Sequence, residues 1–253
     1  MIALASPANR QGRQLADILS GIKHELSGSL GTSIVRIFNT AFASTGLNEK
    51  QLKDYNYQAL HLVGKSNAGY FPGSKDIMLK IIFDKDTNLI LGAQAIGEKG
   101  ADKRIDVIAT AIKAKMKITD LQELELSYSP PYGSAKDLVN MAGYFSHNVI
   151  LGLTDLVQIS EVKDLQDKGH QVIDVRTKEE YESGHIRGAI NIPLDEIRNR
   201  LDELDKNKDY IVHCRSSVRS YNAEMVLKSK GYKVKNLDGS WIYYSANYQE
   251  NIE

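Results

Sequence analysis

Cysteine occurs once in this chain of 253 residues, at position 214. That excludes an intrachain disulfide and any multi-cysteine metal site, and an unpaired thiol fits a reducing compartment, which indicates the cytoplasm. Net charge is missing as well. The 32 Lys and Arg balance 32 Asp and Glu, so the chain as a whole lacks the basic field used to bind nucleic acid or a membrane surface. No run approaches the ~20 apolar residues of a membrane span, and Met1 to Pro7 has neither a basic n-region nor a long apolar core, which argues against a signal peptide. Glycine is plentiful at 19 residues, yet the G-x-G-x-x-G spacing of a dinucleotide-binding turn does not occur. What the chain does have is length for two domains and, at 42% hydrophobic residues, enough apolar side chains for real cores.

Residues 1–28 read as one helix, through Leu15, Ile18 and Leu19 and ending near Gly21, with no sheet of their own to pack on. Strand patterns follow at Ser33–Phe38, Tyr57–Val63, Ile77–Phe83 and Leu89–Ile96, the last two joined by the turn-rich Asp84–Asn88 as an antiparallel hairpin. A helix with Ile105, Ile108, Ala109, Ile112 and Met116 on one face comes next. Pro130 and Pro131 interrupt regular structure, and a helical pattern resumes from Ser134 to Asn148. Sheet then helix indicates an α+β domain over residues 29–148. After a linker at 149–155 the rhythm changes. Strands at Gln171–Val175, Ala189–Ile192, Tyr210–His213 and Lys233–Leu237 alternate with helical patterns, the signature of an α/β domain with a parallel sheet over 156–253.

Cys214 sits at the end of one of these strands. The helix that follows carries apolar residues at Val218, Tyr221, Met225 and Val226 and stops at Gly231. A strand-to-helix turn aims backbone N–H groups and a positive helix end at the sulfur, and Arg215 and Arg219 add charge without an acidic residue inside the loop, so an anionic sulfur is favoured there. Residues 156–253 carry a net charge of −2, which makes an all-basic loop a local feature suited to a small anion. Ser216, Ser217 and Val218 complete the loop, whose N–H groups can form an anion nest. Asp174, at another strand end, is placed either to orient the loop by accepting N–H bonds, with Arg176 as its partner or as a substrate contact, or to form a structural salt bridge with Arg176. His185 reads as a structural hydrogen-bonding residue, His213 as core, and Trp241 with Tyr243 and Tyr244 as the packing face of a terminal helix.

The segments Val172-Ile173-Asp174-Val175-Arg176, Glu180-Tyr181-Glu182-Ser183-Gly184-His185-Ile186-Arg187-Gly188-Ala189-Ile190-Asn191-Ile192-Pro193 and the Cys214 loop resemble a rhodanese (sulfurtransferase) domain. The resemblance implies that Cys214 accepts a sulfane sulfur from a small sulfur-containing anion or a persulfide and passes it to a thiol. Where the family usually has glycine this chain has Ser217. Related dual-specificity phosphatases have a longer loop; here four residues separate Cys214 from Arg219, a span that favours sulfur over tetrahedral phosphate.

Upstream, Pro7 to Arg13 and Tyr128-Ser129-Pro130-Pro131-Tyr132-Gly133-Ser134-Ala135-Lys136-Asp137 resemble the C-terminal part of a coenzyme A-disulfide reductase, a pyridine nucleotide-disulfide oxidoreductase. The resemblance implies that residues 1–28 correspond to the last helix of a flavin domain and 29–148 to a dimerisation domain, with a homodimer as the expected assembly. It also implies that Tyr70 and Tyr128 reach a partner subunit's redox site and that Asn9 and Arg13 contact coenzyme A. FAD, NAD(P)H and coenzyme A are implied for the full-length family only. Lacking the dinucleotide fingerprints and the flavin-domain redox cysteine, this chain is expected to need no cofactor or metal, and to be either a fragment of a full reductase or a shortened gene product. The expected activity is rhodanese-type sulfur transfer. The alternatives are a non-catalytic assembly module that docks a separate flavin domain, or a piece of an FAD-dependent coenzyme A-disulfide, persulfide or polysulfide reductase.

Overall fold

The computed structural model describes residues 4–24 and 28–253. They form two compact units whose boundary falls between Val139 and Asn140, with Leu60–Gly64 grouped with the second.

The first unit opens with helix α1 (Ala5–Leu19) and continues with strands β1 (Ser33–Ile37), β2 (Thr40–Gly46), β3 (Tyr57–Lys65), β4 (Asp76–Asp84) and β5 (Ile90–Gly97), then helix α2 (Ala101–Lys113). The sheet order is β1-β2-β5-β4-β3. The expected β4–β5 hairpin is present, antiparallel, with Met78 opposite Ile96 and Leu79 opposite Ala95. The patterns named above did not include β2. Its sequence, Thr-Ala-Phe-Ala-Ser-Thr-Gly, has a weak strand signature, but it pairs with β1 on one side and β5 on the other, so neighbours on both edges override weak propensity. Arg104 of α2 is buried and donates to Asp137 at 2.6 and 3.2 Å and to the carbonyls of Gly100 and Ser66. Asp137 also accepts the Val139 N–H at 3.1 Å. That bond starts helix α3 at Leu138 (Leu138–Ile150), four residues later than the pattern from Ser134, because Asp137 acts as its cap.

The second unit holds β6 (Leu156–Val157), α4 (Val162–Asp167), β7 (Gln171–Asp174), α5 (Lys178–Glu182), β8 (Ile190–Asn191), β9 (Asp209–His213), α6 (Val218–Ser229), β10 (Lys233–Leu237) and α7 (Ser240–Asn247). Its sheet runs β6-β10-β9-β7-β8 with every pair parallel. Alternation along β9 divides the core. Tyr210, Val212 and Cys214 face one side with Ala223 and Leu227 of α6, while Ile211 faces the other with Val162 of α4 and Tyr244 of α7. His213, one residue from Cys214, falls on the side of α7 and is fully buried.

Helix α6 forms where the sequence places a helix, but its buried face is not its apolar one. Its buried residues are Ser220, Ala223, Glu224 and Leu227, and Val218 is exposed, so the sheet-facing stripe is not the Val218, Tyr221, Met225, Val226 stripe. Small residues let α6 approach the sheet, and Glu224 is tolerated because Thr154, the Asp155 N–H, Asn236 and Lys228 all donate to its carboxylate. The same bonds tie the segment entering β6 to the domain.

Because Ile211 is fully buried at the centre of the parallel sheet, Ile211→Ala is expected to destabilise this unit by about 2–5 kcal/mol. Equilibrium denaturation followed by the single Trp241 reads the change; a loss under ~1 kcal/mol would contradict the described packing.

Candidate active site

Cys214 directly follows β9 and is 1% exposed. The chain then turns through Arg215, Ser216 and Ser217 into α6. Ser217 occupies the left-handed region, with φ 82° and ψ −26°, and its N–H donates to the Cys214 Sγ at 3.2 Å. This conformation is the one glycine adopts most readily, and a serine there costs about 1 kcal/mol. Local bonds offset the strain: the Ser217 carbonyl accepts the Tyr221 N–H and the Ser220 hydroxyl, and the Ser217 and Ser240 hydroxyls lie 3.4 Å apart.

A second helix end fixes the other side of the loop. Gly239 (φ 73°) and Ser240 (φ 53°) turn β10 into α7; a Cβ at Gly239 would meet the Tyr243 ring at 2.7 Å, so no larger residue fits that turn. The Trp241 N–H donates to the Cys214 carbonyl at 3.0 Å and the Ile242 N–H to the Arg215 carbonyl at 3.3 Å. The Cys214 N–H in turn donates to the Ser240 hydroxyl at 3.4 Å. The first N–H groups of α7 thereby find acceptors in the loop, and the loop carbonyls are drawn away from the sulfur.

Asp174 and Arg176 form a buried pair beneath this arrangement. Asp174 accepts from the Arg176 backbone N–H at 2.9 Å, from Nε and from Nη2 at 2.6 Å. Arg176 also donates to the Gly184 carbonyl at 2.7 Å and stacks 4.2 Å from the Trp241 ring centre. The acidic residue therefore orients Arg176, which supports α7 through Trp241, in place of the loop N–H groups expected from its position. At 2% exposure Arg176 is a support and not a substrate contact. His213 sits in the same layer, its Nδ1 3.2 Å from the Cys214 carbonyl and Nε2 3.6 Å from Asp174; burial lowers its pKa, partly offset by Asp174. His185 stacks on Tyr181 at 3.8 Å and bonds the Tyr181 carbonyl.

The loop is all basic in sequence but not in space. Glu180, at the third position of α5, accepts two bonds from the Arg219 guanidinium, at 2.6 and 2.8 Å. Hydrogen bonds from Arg219 lower the Glu180 pKa to about 2 against the opposing effect of burial. The same bonds raise that of Arg219, with a smaller contribution from Cys214. Glu180 was not singled out as a site residue. A signal existed: Thr177-x-x-Glu180 is a capping box, and both of its bonds form, Glu180 N–H to Thr177 Oγ1 at 3.3 Å and Thr177 N–H to Glu180 at 3.0 Å.

In the first unit Tyr70 and Tyr128, 58 residues apart in sequence, place their hydroxyls 3.4 Å from each other. Both are exposed, and the hydrogen bond to Tyr70 raises the Tyr128 pKa. Asn9 and Arg13 lie one turn apart on α1, Asn9 bonding the Ala5 carbonyl and Arg13 lying 3.5 Å from Asp17. Among the described residues no group of three or more His, Cys, Asp and Glu side chains could hold a metal ion, and no helix is long and apolar enough to cross a membrane.

Residues 32–138 match the pyridine nucleotide-disulphide oxidoreductase dimerisation domain and residues 158–247 match the rhodanese-like domain. The chain is 40% identical over 144 residues to a coenzyme A disulfide reductase of Staphylococcus haemolyticus, an alignment covering 56% of this chain and 33% of that protein. Among solved structures it resembles reduced Bacillus anthracis CoADR-RHD, with a TM-score of 0.96 and 49% identity over 100% of this chain and 46% of that one. It also resembles a NAD-dependent persulfide reductase from A. fulgidus, with a TM-score of 0.88 and 34% identity over 96% of this chain and 45% of that one. The chain thus spans a third to a half of the length of these relatives.

Two outcomes follow from the site geometry. The folded pKa of Glu180 lies below its ordinary value, so the pair with Arg219 contributes fully above about pH 4.5 and is lost as pH falls toward about 2. The stability difference between wild type and Glu180→Gln, measured by urea unfolding, should therefore shrink between about pH 5 and pH 3; a difference constant across that range would contradict the pairing. Ser217→Gly relieves the left-handed strain and is expected to gain up to about 1 kcal/mol in the same measurement, whereas a loss would show that the serine hydroxyl matters more than its backbone.

Proposed function

We propose, for a chain that carries the dimerisation domain of the pyridine nucleotide-disulphide oxidoreductases followed by a rhodanese-like domain, that the second domain is a sulfurtransferase working through Cys214. The observation that carries this reading is the Cys214 sulfur accepting the Ser217 N–H at the start of α6, in a loop whose carbonyls are held by α7. The Ser217 N–H points at the sulfur, and the carbonyls of Cys214 and Arg215 are engaged by α7. That polarity stabilises an anionic sulfur and then an anionic persulfide.

In the first step the Cys214 thiolate attacks the outer sulfur of a donor. With an organic persulfide R–S–SH the new bond is Cys214 Sγ–S, the S–S bond of the donor breaks, R–S⁻ leaves and the proton stays with the transferred sulfur. With thiosulfate the leaving group is sulfite. In the second step an acceptor thiolate attacks the outer sulfur of the Cys214 persulfide, takes it, and regenerates the Cys214 thiolate, so that no external oxidant or reductant is consumed. Arg215, Ser216, Ser217, Val218 and Arg219 form the loop, while Asp174 and Arg176 hold it from beneath. The spacing of Cys214 and Arg219 favours sulfur over a phosphate ester. A homodimer formed by the first domain is the assembly we assign, and a single thiol suits the reducing cytoplasm.

A second reading has its own observation. Helix α1 has no buried residue over 15 positions, and Leu15 and Leu19 are 58% and 80% exposed. An amphipathic helix in that state fits a missing partner surface, which the similarity to longer reductases suggests is a flavin domain. In that setting Tyr70, Tyr128, Asn9 and Arg13 would belong to a coenzyme A disulfide or persulfide reductase site, and the Cys214 domain would feed it sulfur.

Intact-mass measurement after incubation with an organic persulfide or thiosulfate tests the first reading. Wild type is expected to gain one sulfur atom and Cys214→Ser none; no gain on wild type, or an equal gain on both, contradicts it.

A further inference from the structure

The Cys214 loop owns two arginines, yet one of them faces a carboxylate from another element. Arg219 donates two bonds to Glu180 at 2.6 and 2.8 Å, a bidentate geometry that fixes both groups. Both side chains are about one-third exposed, so the pair lies at the edge of the site, where a charge still acts on an incoming ion. The Glu180 carboxylate also accepts the Thr177 N–H at 3.0 Å, so swinging away would cost that capping bond as well. Nothing in sulfur transfer itself requires an acidic residue here, and a carboxylate beside an anion-accepting loop lowers the attraction of that loop for anions.

We infer that Glu180 is a specificity-determining residue that cancels the charge of Arg219 and so sets the Cys214 loop to discriminate against dianionic sulfur donors such as thiosulfate, relative to donors of one negative charge or none. This inference rests on the sulfurtransferase reading for its biological meaning. Glu180 acts through Arg219 and touches no reacting atom; it is a positioning residue. It stays ionised at any pH at which the protein works, so the cancellation is permanent and not a pH switch. The groups that bear on it are Arg219, the Thr177 N–H and Arg176, with Glu179 beside it on its own helix.

The single cysteine makes the test direct, because every alkylation event reports on Cys214. The ratio of its alkylation rates with iodoacetate, an anion, and iodoacetamide, a neutral reagent of similar size, measures local charge independently of thiol reactivity. Glu180→Gln keeps the capping box, which glutamine also serves, and removes the charge. The ratio is expected to rise roughly threefold or more in this variant, the effect of one uncompensated charge at close range in partly screened surroundings. Arg219→Gln leaves Glu180 unbalanced and should lower the ratio by a similar factor, and the double variant should return near wild type. An unchanged ratio in Glu180→Gln, or a rise that persists in the double variant, overturns the charge assignment.

If Glu180→Gln is poorly folded, as judged by near-UV circular dichroism, the fall expected in Arg219→Gln decides alone. For donors, Glu180→Gln should raise kcat/KM for thiosulfate relative to an organic persulfide by roughly threefold; a shifted alkylation ratio with an unshifted donor ratio overturns donor selection. Absence of any transferred sulfur on wild type with a normal alkylation shift is distinguishable from both, because it removes the sulfurtransferase reading and leaves the charge assignment standing.

Discussion

The site depends on where α7 puts its first N–H groups. Helix starts carry donors without partners, and here the Trp241 and Ile242 donors are met by the carbonyls of Cys214 and Arg215. These two bonds satisfy two requirements: the helix end is capped, and the Cys214 and Arg215 carbonyls are engaged by α7 while the Ser217 N–H meets the sulfur. Ser217 takes a left-handed conformation as part of the same turn. Beneath lies the Asp174–Arg176 pair, whose guanidinium packs on Trp241. A buried ion pair adds little net stability against an apolar replacement, yet losing one partner is costly, so this pair is better understood as fixing the position of α7 than as strengthening the fold.

Charge around the loop is arranged at two depths. The deep pair is shielded from solvent and serves geometry. The shallow pair, Glu180 with Arg219, is reached by water and by ligands, and it decides how much positive charge the loop offers. A count of loop residues alone gives two arginines and no acid; the folded chain brings in Glu180 from 39 residues upstream.

Much of this was legible in the residues themselves. The alternation of short apolar runs and helical patterns in residues 156–253 predicts the parallel sheet, because such strands must be buried on both faces. The lone cysteine at a strand end was visible as a local feature, the resemblance marked Ser217 as standing where the family has glycine, and the structure gives Ser217 the positive φ that glycine would supply. Three features were not readable. Strand β2 is built from small residues and exists because β1 and β5 both pair with it. The buried stripe of α6 runs through Ser220 and Glu224, whose burial depends on partners from Thr154 to Asn236. The Glu180–Arg219 and Ser240–Cys214 contacts join distant segments. Each is a non-local consequence of topology, and periodicity carries no information about it.

The first domain poses a different problem, since beside its buried core it carries exposed apolar side chains. Phe38, 94% exposed at the tip of the β1–β2 hairpin, and the uncovered apolar residues of α1 are surfaces of the kind that assembly covers, whereas the second domain encloses its own chemistry. The central claim is that Cys214 is a relay for sulfur, and the most direct test is a single turnover in two halves. Wild-type protein would be loaded with a labelled sulfane sulfur, freed of donor by gel filtration, and mixed with an acceptor thiol. The account predicts that label moves from the protein to the thiol with one equivalent per Cys214 and that the free thiol of Cys214 returns. Label that stays on the protein, or that leaves without appearing on the acceptor, would contradict it.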